Sequence, residues 1–125
     1  MLTIQGLNSQ NTKITSVVFV AKEIVGESHY GFKYDFNITI EDSENFDIER
    51  FCKDNIQSII KGRVADVAVI NSILKDLNND EYYIDKNPKG LRMGSSTKDF
   101  DAVELEVFLK EEKLLKMELL YYSPL

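Results

Sequence analysis

The chain has 125 residues and a mass of 14.4 kDa, enough for one domain (residues 1–125) with a core that needs no metal or disulfide staple. Hydrophobic residues at 43% and charged residues at 29%, with seven Phe and six Tyr, exclude a disordered chain. Fifteen Lys and Arg against twenty-one Asp and Glu leave a net charge of −6, which argues against a general binder of phosphate backbones and toward basic protein partners.

Met1 to Gln10 carry neither a Lys nor an Arg nor an apolar run, so no secretory leader is expected and the cytoplasm is the expected compartment. The longest apolar streaks, Val17 to Ala21 and Val67 to Ile70, fall far short of the roughly twenty residues that span a bilayer, so no membrane partner is expected. Lys13 to Ile24 is rich in β-branched residues. From Phe32 to Glu41, Phe32, Tyr34, Phe36, Ile38 and Ile40 alternate with polar residues at period two. Residues 13 to 41 therefore predict a β-hairpin turning through Gly26 to Gly31.

Helical punctuation follows. Asn45 is a candidate N-cap, Asp47 and Glu49 suit a first turn, and Ile48, Cys52, Ile56, Ile59 and Ile60 recur at helical spacing up to Gly62, a natural left-handed stop. Val64, Val67, Ala68, Leu74 and Leu77 then mark a second helical face, with Ile70 and Ile73 beside it, ending at Asn78-Asn79-Asp80, which gives two helices or one long helix interrupted at Gly62. A short strand at Tyr82 to Asp85 and a polar loop over residues 86 to 99 come next. Val103, Leu105, Val107 and Leu109 restore the alternation, and a turn at Glu111 and Glu112 leads to Leu114 to Tyr122, which reads as a second hairpin arm with a helix over 113 to 122 as its rival. The expected fold is α+β: an antiparallel sheet of four to five strands packed on one side by two helices, in the order ββααββ.

Chemistry-bearing constellations are sparse. Cys52 and His29 are single residues of their kinds, one on an apolar helical stripe and one in a hairpin loop, so neither a catalytic dyad nor a disulfide is expected. The acids around Asn78 to Asp85 lack the calcium-loop spacing, and Lys86 to Lys98, with its four cations and two glycines, lacks the spacing of a phosphate loop. No catalytic residue, metal ligand or cofactor is expected, and the chain is not read as an enzyme.

The richest feature is acidic. Glu41, Asp42, Glu44, Asp47 and Glu49 put five carboxylates into nine residues, more than a helix start requires. A second patch, Asp76, Asp80, Glu81 and Asp85, surrounds Tyr82 and Tyr83, the composition of an interface with a basic partner. Glu41, Asp42, Glu44, Asp47, Asp80, Glu81, Tyr82, Tyr83 and Asp85 are thus the candidate contact residues.

In size, acidity, expected location and lack of a catalytic set, the whole chain resembles the immunity proteins of bacterial toxin systems, such as those of contact-dependent growth inhibition. That resemblance is one of general character and carries no family residues. It implies a protein that neutralises a cognate toxin, a nuclease above all, by setting carboxylates where the toxin holds phosphates, with no direct contact to nucleic acid. The competing expectation is a small ligand-binding or catalytic α+β domain with a pocket between helices and sheet.

Overall fold

Alternation in the sequence becomes the two faces of a sheet. In the computed structural model, which describes residues 13–41, 46–85, 90–96 and 102–124, strands β1 (Ile14–Val25) and β2 (His29–Ile40) form the expected hairpin, turning through Glu27 and Ser28. Helices α1 (Ile48–Ile60) and α2 (Val67–Asn78) follow, then strands β3 (Tyr83–Ile84), β4 (Gly90–Ser96), β5 (Ala102–Glu111) and β6 (Leu114–Pro124). The strands make a single antiparallel sheet in the order β1-β2-β6-β5-β4-β3. The α+β class holds, with six strands where four to five were expected.

The extra strand is β4, which lies within the stretch read as a polar loop. Leu91 and Met93 point to the helices, Arg92 points away, and Val107 and Leu105 stand opposite them in β5. Two apolar residues among two glycines give too weak a pattern to show alone; the neighbouring strand and the helix cover create the element. For residues 114 to 122 the strand is correct, and Leu115, Met117 and Leu119 all join the core.

One row of register partners shows where the cover ends. Phe19, Phe36, Met117, Val107, Leu91 and Ile84 run across the sheet on the helix side. The four central members are fully buried, whereas Phe19 at one edge and Ile84 at the other remain 37% and 42% exposed. Phe19 keeps a stacked contact with Phe36, their ring centroids 5.4 Å apart.

Local rules fix both helices. Asp47, expected within the first turn of α1, is instead its N-cap: its side chain accepts from the Glu49 and Arg50 amides. The expected cap Asn45 lies outside the described residues. Ile48, Phe51, Cys52, Ile56, Ile59 and Ile60 face the core, and Gly62 ends the turn at φ +78°. Asp66 caps α2 in the same way, and its buried face is Val69, Ile73 and Leu77: Leu77 and the neighbouring Ile73 lie as expected, whereas Val67 is exposed and Val69 takes the core position. No helix among the described residues is long and apolar enough to cross a membrane.

Candidate partner-binding surface

The two acidic stretches meet in space. Tyr82 donates its hydroxyl to Glu49 of α1 and also reaches Asp80 at 3.2 Å, while Lys53, one turn further along α1, pairs with Asp80 at 2.5 Å. Lys53 also sits 5.6 Å from the centroid of the Tyr82 ring. These bonds join the start of α1 to the segment leaving α2, which are 33 residues apart in sequence at the Glu49 to Tyr82 contact.

The electrostatics follow from those contacts. The Lys53 ammonium holds the Asp80 carboxyl below the usual carboxylate range, and Asp80 in turn raises Lys53. Desolvation, reinforced by Glu49, pushes the Tyr82 hydroxyl up to about 12, so it stays a donor at neutral pH.

The remaining candidate residues have separate fates. Glu41 lies exposed at the end of β2, 3.8 Å from Lys13, and Asp42 and Glu44 lie outside the described residues. Asp47 serves as the α1 cap, and Asp85 pairs with Arg92 at 3.3 Å across β3 and β4. Glu81 is exposed and Asp76 is buried, which removes Asp76 from the surface patch. Tyr83, at 75% exposure, projects from β3 on the face away from the helices, opposite Arg92 of β4, whereas Ile84 is turned to the helix side. The structure therefore gathers Asp47, Glu49, Asp80 and Tyr82, with Glu81 and Tyr83 adjoining in the chain, and sets Glu41 apart on the end of the sheet.

Sequence patterning placed Glu49 in the acidic stretch at the helix start but not against Tyr82, and it did not single out Lys53, which lies on the polar side of a helix like any solvated residue. Cys52 is buried in the core, where desolvation pushes its thiol up, as befits a packing residue. His29 is exposed at the start of β2, its ring centroid 5.5 Å from that of Tyr122. Among the described residues, no group of three or more His, Cys, Asp or Glu is placed to hold a metal ion.

Among the described residues, concavities lie on both faces of the sheet. On the helix side, a cleft of about 440 Å³ is lined by Tyr30, Phe32, Tyr34, Val64, Asp66 and Tyr121, among others. On the opposite face, a shallower hollow of about 530 Å³ holds Lys33, Arg92, Glu104, Glu106 and Glu118, with Lys33 and Glu118 bridged at 3.2 Å. No protein-family model, curated protein or solved structure matches the chain.

Proposed function

We propose that this chain is a binding protein that neutralises a cognate toxin, a nuclease, by pressing an acidic surface against the toxin's basic active site, in the manner of an immunity protein of the cytoplasm. The supporting observation is the joining of the two acidic stretches by Tyr82 and Lys53 next to the sheet edge at β3, where Ile84 stands exposed on the helix side and Tyr83 on the other face. At this edge an exposed aromatic side chain provides an anchor for residence and the nearby carboxylates a rim for steering. On this reading the partner is a basic protein, and the chain itself touches neither nucleic acid nor membrane.

The experiment is co-purification of the tagged chain with the products of the genes beside its own, followed by a nuclease assay on each product. Equal stoichiometry with one basic domain and loss of its activity supports the reading. A Tyr83→Ala variant should then weaken the complex at least about tenfold, as expected of a central aromatic anchor, without changing the fold. Neighbouring products that all stay active in its presence would refute the proposal.

A second reading has its own support in the helix-side cleft, whose volume and mixed aromatic and polar lining suit a small ligand. Thermal stabilisation of the isolated chain by a small molecule would favour it.

A further inference from the structure

We propose that the helix-side cleft is a binding site for a quaternary or alkylated ammonium group. The inference rests on the second reading above and names what such a pocket would take.

Its construction begins with period two. Tyr30, Phe32 and Tyr34 are alternate residues of β2 and share the face turned to the helices, and Tyr121 of β6 is the register partner of Phe32. Val64, Ala65, Asp66 and Val69, from the α1 to α2 connection and the start of α2, form the opposite wall. Tyr34, Val64 and Val69 are buried at the base, while Tyr30, Phe32 and Tyr121 are half-buried. The planes of Tyr30 and Phe32 meet at 76° and those of Phe32 and Tyr34 at 39°, so the rings that line the cleft are differently oriented. That arrangement suits a cation without directional donors.

Charge narrows the choice. Among the described residues the lining contains no Lys, Arg or His, and Asp66 is its one carboxylate. At the rim the Tyr30 hydroxyl donates to Glu23 at 3.4 Å, which brings a second carboxylate near. An anion would find the start of α2 already occupied, because Asp66 Oδ1 accepts from the Ala68 amide at 2.9 Å and the Val69 amide at 3.3 Å. A guanidinium fork wants both carboxylate oxygens, and Oδ1 is engaged by those two amides. A neutral apolar guest would strip water from Asp66 and supply no countercharge. An alkylated ammonium meets the rings with its methyl groups and the carboxylate with its charge, and it needs no hydrogen-bond acceptor.

The test is titration of the intact chain with choline, tetramethylammonium and 3,3-dimethylbutan-1-ol, the uncharged carbon isostere of choline, followed by the ring resonances of Tyr30, Phe32, Tyr34 and Tyr121. Saturable shifts with both cations, and binding of the alcohol at least about tenfold weaker, are expected. Asp66→Asn keeps a capping oxygen and should weaken choline without affecting the alcohol. Phe32→Leu should weaken choline while leaving the circular dichroism unchanged. Equal binding of choline and the alcohol would overturn the ammonium assignment and leave the pocket reading standing, whereas no shift with any of the three would overturn both. Tighter binding of a trimethyllysine peptide than of choline would assign the cation to a protein side chain, and the reverse order to a free small molecule.

Discussion

Asp80 closes α2 in a conformation usually left to glycine. Its φ is +57°, its amide bonds the Leu77 carbonyl, and the next amide, Glu81, bonds the Asp76 carbonyl, the paired bonds of a left-handed helix stop. The aspartate there turns its carboxylate to Lys53 and Tyr82, a contact that glycine would lose. Because Lys53 depresses the Asp80 pKa, the folded state binds its proton less readily than the unfolded chain. The contribution is present above the unfolded value of about 3.9 and is lost as pH falls through the lower folded value. Asp80→Asn, which tolerates the same backbone, should therefore be less stable than the parent in urea at neutral pH and converge with it in acid. A gap that stays constant down to about pH 2 would show that the charge is not responsible. Gly62 is the simpler case: a Cβ there would touch nothing, yet φ is +78°. Gly62→Ala should cost about 1 to 2 kcal/mol from backbone strain alone, read as a lower urea midpoint with unchanged slope.

At the scale of elements, legibility followed the strength of periodicity. β2 and β5 were plain because five and four apolar residues, respectively, alternate without interruption, and α1 was plain because its stripe ends at a glycine. β4 was hidden, since its two core residues become a strand only when Val107 and Leu105 stand opposite and helices lie above. The face of α2 was misplaced at its start because Val67, at the first turn, is 65% exposed although apolar. β1 was read correctly as a strand, but its place at the sheet edge was not in its own pattern. Its Val18 and Val20 are 56% and 64% exposed, and they face away from the helices opposite Asn37 and Asp35. The Gly26 amide donates to the His29 carbonyl, which sets the phase of the ladder: even-numbered residues of β1 bond to β2, and odd-numbered ones turn their amides outward. Hydrogen exchange should therefore alternate, with the Val18, Val20, Lys22 and Ile24 amides protected and those of Val17, Phe19, Ala21 and Glu23 fast. Protection of both sets would mean that another strand covers the edge.

For the whole molecule, the acidic patches were legible as composition but their meeting was not, because it depends on a contact spanning 33 residues and on a lysine indistinguishable from its solvated neighbours. The same contact contributes, after the core thiol, to how the molecule responds to base. Burial pushes the Cys52 thiol up, and burial together with Glu49 pushes the Tyr82 hydroxyl up to about 12. Both groups are acids whose folded pKa exceeds the unfolded one, so the folded state binds more protons than the unfolded chain at high pH. Their contribution is complete below the unfolded values, about 8.5 for a thiol and about 10 for a phenol, and is lost as pH rises through the folded ones. Stability should accordingly begin to fall above about pH 8.5, first through Cys52, whose thiolate has no place in the core, and then through Tyr82. Urea midpoints followed through this range should show the first part of the fall missing in Cys52→Ala, with the onset moved toward about pH 10. In Tyr82→Phe the early onset should persist and the later fall should be shallower. If Cys52→Ala declines from the same pH as the parent, the core thiol is not what limits the molecule in base, and the loss must start at the junction between α1 and the exit from α2.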